Sequence, residues 1–258
     1  MNTYALFFSP TKTTKRVVEA IAKGIDKNYN SLSITLPDER KINYSFKEND
    51  TVVFGVPVYS GRIPDCILDY INTIKGDNTK IILIAVYGNR HFDDTLVEME
   101  DITKNNGFRV ISAAAFIGEH SFTAKVANNR PDEKDLEIAY NFGLELKNII
   151  KKDNIKLIIP GNRPYREKKP TVPMAPVVSE KCNECKKCIK DCPVGAISYN
   201  NKIIIDENKC IRCNSCIKNC PVGAISFMDQ LINPINWLES NCMETRKEPD
   251  VFLGVCNE

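Results

Sequence analysis

The most constraining feature of this chain is a cysteine pattern that occurs twice. Cys182, Cys185, Cys188 and Cys192 are spaced C-x2-C-x2-C-x3-C and are followed by Pro193. Cys210, Cys213, Cys216 and Cys220 repeat that spacing and are followed by Pro221. Each cysteine lies 28 residues from its counterpart, and both runs continue into Pro-Val-Gly-Ala-Ile-Ser, at Pro193–Ser198 and Pro221–Ser226. The stretch is an internal duplication, and a fold of residues 180–228 has to be built around eight thiols.

This spacing resembles that of bacterial ferredoxins carrying two 4Fe–4S clusters. The x2 spacings let three thiolates on one short loop reach three corners of a cubane, and the proline ends the helical turn after the fourth Cys. The resemblance implies that each fourth Cys serves the other cluster. One cluster would then take Cys182, Cys185, Cys188 and Cys220, and the other Cys210, Cys213, Cys216 and Cys192. Ile197 and Ile225 are expected to pack over the clusters and keep water away. Disulfides compete poorly, because the N-terminus enters a strand-like run without a signal-peptide pattern and cytoplasmic thiols stay reduced. Structural zinc uses C-x2-C pairs too, but has no need of a third Cys at x2 and a Cys-Pro, repeated.

A run of this size leaves most of the 258 residues to another domain. The composition, 43% hydrophobic and 26% charged, is that of an ordinary globular protein, and a net charge of +2 points to neither nucleic acid nor an acidic tail. The cluster segment 180–228 is basic by three charges, and each oxidised cluster would add about −2. No apolar run reaches the length of a membrane span, so the cytoplasm is the expected compartment. Cys66, Cys242 and Cys256 stand outside the runs and read as buried or incidental thiols.

Residues 1–150 alternate β and α signals. Strands are expected at Thr3–Phe8, weakly at Ser31–Leu36, and at Thr51–Val56, Lys80–Val86 and Arg109–Gly118. Helices are expected over about Lys12–Asp26, Ile63–Ile74, Asp93–Asn106 and Pro131–Ile150, with Gly107 as a C-cap. Five strands alternating with helices give an α/β, doubly wound, parallel five-stranded sheet, with its ligand site at the carboxyl ends of the strands. From Lys151 to Ser179 the pattern stops. Pro160, Pro164, Pro170, Pro173 and Pro176 mark an extended linker, whose Pro160–Tyr165 segment is specific enough to pack on a domain. The tail, 229–258, holds the only tryptophan, Trp237, and is expected to fold back as a short helix.

Three loops meet the carboxyl edge of the expected sheet. Ser9-Pro10-Thr11-Lys12-Thr13-Thr14 runs into a helix, so hydroxyls and backbone N–H groups there form an anion site reinforced by the helix dipole. It lacks the Walker pattern G-x-x-x-x-G-K-[ST], which favours a monophosphate-ended cofactor over ATP. Pro57-Val58-Tyr59-Ser60-Gly61-Arg62 and Tyr87-Gly88-Asn89-Arg90-His91-Phe92 each supply an aromatic ring, a glycine and hydrogen-bonding groups.

These loops resemble the three FMN loops of the flavodoxin fold. With the double cysteine run behind them, the chain resembles the flavodoxin–ferredoxin fusion family of anaerobes. The resemblance implies a flavodoxin-like domain and a small α+β double-cluster ferredoxin domain. It implies that Ser9, Thr11, Lys12, Thr13 and Thr14 hold the FMN phosphate. Pro57, Val58, Tyr59, Ser60 and Gly61 would flank the flavin ring with Tyr87, Gly88, Asn89, Arg90 and Phe92. Flavodoxin loops usually carry Gly at the position of Lys12. Either the backbone there is not left-handed, or Lys12 bears a strain of about 1 kcal/mol and gains a phosphate contact. His120, after the fifth strand, can donate to the flavin or shuttle a proton; an ordinary loop histidine is the alternative.

The expected function is electron transfer between the two clusters and FMN, joining one- and two-electron steps with a redox protein as partner. The alternative is an FMN-dependent reductase of a specific small molecule. Neither nucleic acid nor a membrane is an expected partner. A homodimer with one protomer's clusters facing the other's flavin satisfies the same sequence.

Overall fold

The computed structural model describes residues 2–168, 172–243 and 245–256, with Cys256 described by backbone alone. Pro170 and the Cys256 thiol therefore lie outside the described residues. Five parallel strands form the centre: β1 (Thr3–Phe7), β2 (Asn30–Ser33), β3 (Thr51–Pro57), β4 (Thr79–Tyr87) and β5 (Phe108–Ile117). Their order is β2-β1-β3-β4-β5, the doubly wound order 2-1-3-4-5 of flavodoxin-like folds.

Side chains alternate between the two faces of this sheet, and both faces are buried. Ala5, Phe7, Val53, Ile82 and Ile84 pack with α1 (Thr13–Ile25) and α4 (Glu133–Ile149) on one side. Leu6, Val52, Phe54, Ile81 and Leu83 pack on the other with α3 (Thr95–Asn105). Helix α1 buries Val17, Val18, Ile21, Ala22 and Ile25, the stripe expected from their spacing. It crosses α4 closely, because a Cβ on Gly24 would stand 2.2 Å from the Tyr140 carbonyl oxygen. Asp132 caps α4: its Oδ1 accepts from Asp135 N at 3.0 Å, while Asp135 Oδ2 accepts from Asp132 N at 2.9 Å. Gly107 ends α3 with φ +86°.

Two expectations need correcting. The second helix spans only a 3-10 turn, Asp65–Ile67, and one α turn, α2 (Leu68–Ile71), instead of continuing to Ile74. The Asn72 and Thr73 side chains donate back to the carbonyls of Leu68 and Tyr70, a local alternative to helix. The sheet also has six strands, not five. After the expected helix in the tail, α5 (Ile232–Cys242), strand β6 (Asp250–Leu253) pairs antiparallel with β5 at the sheet edge. Ile155–Lys156 pairs with Val255–Cys256 beyond it.

The segment 160–168 lies along the N-terminal domain. Asp94 Oδ1 accepts from Asn162 N (2.8 Å) and Nδ2 (3.0 Å), and its Oδ2 accepts from Arg166 N (2.7 Å). Arg163 pairs with Asp101 and Glu100, and Arg62 stacks over the Tyr165 ring at 4.4 Å.

The cysteine-rich unit is a pair of copies. Val177–Val178, within the stretch expected as linker, pairs with Ile225–Ser226, and Ile197–Tyr199 pairs with Ile203–Ile205. The copies match in backbone: Glu184 and Arg212 are both left-handed at φ 55°, as are Lys186 at 57° and Asn214 at 62°. Among the described residues no helix is long and apolar enough to cross a membrane.

Candidate functional site: two cysteine cavities beside a hydroxyl-rich loop

Burial and backbone geometry bring the eight cysteines together in two groups. One small cavity is lined by Cys192, Cys210, Cys213 and Cys216, with Ile197 and Phe227 in its wall. A second is lined by Cys182, Cys185, Cys188 and Cys220, with Ile225 in its wall. The fourth cysteine of each run therefore stands with the first three of the other. Among the described residues no three Cys, His, Asp or Glu side chains close on one point as a single metal ion needs. Sulfur donors spread round a cavity suit a larger iron–sulfur body.

Each crossing cysteine accepts a backbone bond, Ala196 N to Cys192 Sγ at 3.2 Å and Ala224 N to Cys220 Sγ at 3.3 Å. Burial pushes the Cys188 and Cys210 thiols up, Cys216 to about 12, and Cys213 further still. Iron has to displace those protons as it binds. The groups differ in exposure: Cys185 is exposed, whereas its counterpart Cys213 is 8% exposed.

Cys213 is buried because this copy sits on the carboxyl edge of the parallel sheet. Ser215 Oγ donates to the Pro10 carbonyl at 2.8 Å, and Asn214 Nδ2 donates to the Ser121 carbonyl. Lys218 pairs with Glu119 at 2.6 Å, and Arg40 donates to the Pro193 carbonyl at 2.6 Å. Below lies a cavity of about 60 Å³, lined by Thr11, Thr13, Thr14, Pro57, Val58, Tyr59, Tyr87, Gly88, His120 and Cys213, among others.

The hydroxyl-rich loop has the form of an anion cradle. Lys12 is left-handed at φ 64°, so the strained alternative holds at this position. Lys12 makes no capping bond, which leaves the Thr13 and Thr14 N–H groups at the start of α1 available, Lys15 N being taken by Ser9 Oγ. Thr11 Oγ1 and Thr13 Oγ1 lie 3.1 Å apart at the cavity. Ser9 instead frames the loop: its hydroxyl accepts from Lys15 N at 3.0 Å and its own N–H donates to Thr35 Oγ1 at 2.9 Å.

The second loop contributes Pro57, Val58 and Tyr59 to this cavity, while Ser60 lines the neighbouring cleft. Gly61, at φ +80°, is tucked under Asp93, where a Cβ would meet Oδ2 at 2.3 Å. Burial holds the Tyr59 phenol well above its ordinary range, with the Cys213 and Cys66 thiols adding to the shift.

The third loop divides. Tyr87 and Gly88 line the cavity, but Asn89, Arg90 and Phe92 turn to the C-terminal tail. Asn89 Nδ2 donates to the carbonyls of Cys242 (2.7 Å) and Thr245 (3.0 Å). Arg90 pairs with Asp93, and its carbonyl accepts from Lys247 Nζ at 2.6 Å. Phe92 is core, against Tyr87 and Phe252 of β6. These three were expected at the cofactor; the C-terminal segment from Cys242 to Phe252 contacts them instead.

His120 is the residue whose sequence position alone carried least weight. Its ring packs on Gly88, and its Nδ1 accepts from Phe122 N at 3.1 Å. Burial and the nearby Lys218 and Arg90 charges lower its pKa to about 4. The neutral ring therefore carries its proton on Nε2.

The strand order defines a flavodoxin-like domain, and the paired cysteine cavities define an iron–sulfur domain fused behind it. Residues 175–198 and 203–226 match the 4Fe-4S binding domain family. Similar solved structures include a flavodoxin from the domain Archaea, at 16% identity and TM-score 0.41, covering 59% of this chain and all of that one. Flavodoxin 2 from Bacillus cereus aligns at 12% identity and TM-score 0.41, over 56% of this chain and 96% of that one. A flavodoxin from Fusobacterium nucleatum bound to flavin mononucleotide aligns at 15% identity and TM-score 0.39, over 57% and 98% respectively. No curated protein matches the chain.

Proposed function

We propose that this protein transfers electrons within one chain, between two 4Fe–4S clusters and FMN, and exchanges them with a separate redox protein. The observation that carries this reading is Cys213. It lines one cysteine cavity and also the cavity floored by the hydroxyl-rich loop. A cluster held there and a flavin held below would share a wall one residue thick.

In this reading Cys210, Cys213, Cys216 and Cys192 hold the inner cluster, and Cys182, Cys185, Cys188 and Cys220 the outer one. Thr11, Thr13, Thr14 and the free N–H groups of α1 bind the FMN phosphate, with Lys12 adding charge at the mouth. Tyr59, Tyr87 and Gly88 shape the slot for the ring. When bound, the clusters supply one-electron steps, and FMN supplies both one- and two-electron steps. The chain's residues orient these groups, exclude water with Ile197 and Ile225, and donate the Ala196 and Ala224 N–H groups to sulfur. The exposed Cys185 marks the side where a protein partner would meet the outer cluster.

Anaerobic purification and a stepwise reductive titration followed by UV–visible absorption test this. Flavin bands over broad iron–sulfur absorption, both bleaching, with about eight iron per flavin, are the expected result. Flavin alone, with zinc in place of iron, would sink it. A second reading, reduction of a small molecule beside the flavin, is favoured by the cleft that opens past Tyr59 and Cys66.

A further inference from the structure

That cleft lies between the two domains, has a volume of about 540 Å³, and shares Val58, Tyr59, His120 and Ser121 with the cavity of the hydroxyl-rich loop. Its far wall is Asn208–Arg212, the start of the second cysteine run, and its near wall includes Asp65, Cys66 and Lys168. Lys168 bonds to Asp65 and to the Ile63 carbonyl, so that pair is internally neutral. Arg212 is half-buried, and among the described residues its guanidinium makes no ion pair or hydrogen bond; its charge falls near the Cys210 thiol, which its backbone N–H also bonds. Lys209 has only a 3.7 Å contact with Asp206.

The duplication provides an internal comparison. Run one, whose Cys185 is exposed, begins Glu180-Lys-Cys-Asn-Glu184-Cys; run two, on the cleft, begins Asn208-Lys-Cys-Ile-Arg212-Cys. Glu184 and Arg212 have the same φ of 55°, so the loop itself does not require an arginine. Both acids of the first copy are missing from the copy that faces the cleft, and one is replaced by a guanidinium. A guanidinium with its donors uncommitted is matched by carboxylate or phosphate oxygens. The neutral His120 ring adds a donor, since its Nδ1 is taken by Phe122 N and its Nε2–H is not.

We infer that the interdomain cleft binds a small anionic molecule carrying a carboxylate or a phosphate, with Arg212 as its anchor and Lys209 and His120 beside it. The domain contacts through Ser215, Asn214 and Lys218 put the cysteine-rich unit over the hydroxyl-rich loop. A molecule of small size can reach Tyr59 through the cleft, whereas a folded protein meets the outer copy. The inference goes beyond internal electron transfer, and it is read by binding, without turnover.

The test is calorimetric titration of the anaerobically purified full chain with succinate as the carboxylate probe and pyrophosphate as the phosphate probe. Saturable 1:1 binding of one of them, weakened by added salt, is expected, and the better probe identifies the group recognised. Arg212→Glu copies the residue of the first run, so its loop is one this protein already folds. It should weaken binding about 10- to 100-fold with iron and flavin contents unchanged, and Arg212→Lys should restore part of the loss. No saturable binding of either probe overturns the inference, as does binding that Arg212→Glu leaves intact. Loss of flavin or iron in Arg212→Glu would also overturn it, by giving the arginine to a cofactor. Cofactor content measured on the same wild-type sample separates failure here from failure of the electron-transfer reading.

Discussion

Lys12 sits left-handed at the head of α1 without a capping side chain, a conformation that costs a lysine about 1 kcal/mol relative to glycine. Lys12→Gly should therefore raise the stability of the cofactor-free protein by up to about 1 kcal/mol in urea unfolding. Flavin fluorescence titration should show weaker FMN binding, because the charge at the phosphate is gone. His120 gives a pH dependence. Its folded pKa is lowered to about 4, below the unfolded value of about 6.5, so the unfolded chain binds the extra proton. Stability falls as pH drops from about 6.5 toward 4, by at most about 1.4 kcal/mol per pH unit from this group. His120→Gln should remove that increment from the unfolding curve measured across the window. At this scale the sequence was legible wherever chemistry depends on spacing. The cysteine groups followed from the eight positions and the ferredoxin resemblance they carry, and the hydroxyls of Thr11, Thr13 and Thr14 from their place before a helix. The places of Asn89, Arg90 and Phe92 could not be read, because their loop packs on a C-terminal segment more than a hundred residues away.

Strand β6 of that segment and the preceding chain anchor the edge of the sheet through a buried pair. Arg130 is 5% exposed and Asp135 is fully buried; Arg130 Nε donates to Asp135 Oδ2 at 2.8 Å, and Arg130 Nη1 donates to the Lys247 carbonyl at 2.7 Å. Without Arg130 the buried Asp135 carboxylate keeps, as its ion pair, the longer 3.3 Å contact with Arg246, so Arg130→Met should cost about 3 kcal/mol in denaturant unfolding. The five parallel strands were legible because each is buried on both faces and reads as a continuous apolar run. Strand β6 was not: Asp250-Val-Phe-Leu253 is four residues long, and Val251 and Leu253 are exposed. Its partner is fixed by the exposed edge of β5, not by its own pattern. The linker segment was half legible. Tyr165 and Arg163 signalled packing, while their receivers, Glu100 and Asp101, belong to a helix whose acids look like an ordinary solvated face.

The molecule as a whole is arranged so that two equal copies meet unequal surroundings. Ser215 is 1% exposed and bonds the Pro10 carbonyl, while its counterpart Lys187 is exposed; Asn214 is buried, and its counterpart Lys186 is exposed. Replacing Ser215 and Asn214 by the lysines of the first run should loosen the domain contact. Electron redistribution after rapid reduction should then slow, followed by stopped-flow absorption, with iron and flavin contents retained. The paired backbone angles mean that either run folds the same way, so selection has been free to act on the two separately. A saturation-mutagenesis survey should find the halves of one duplicated segment under opposite regimes. Positions 183, 184, 186 and 187 should drift freely, as a surface does. Positions 211, 214 and 215 should be held as tightly as a core, though they descend from the same ancestral loop.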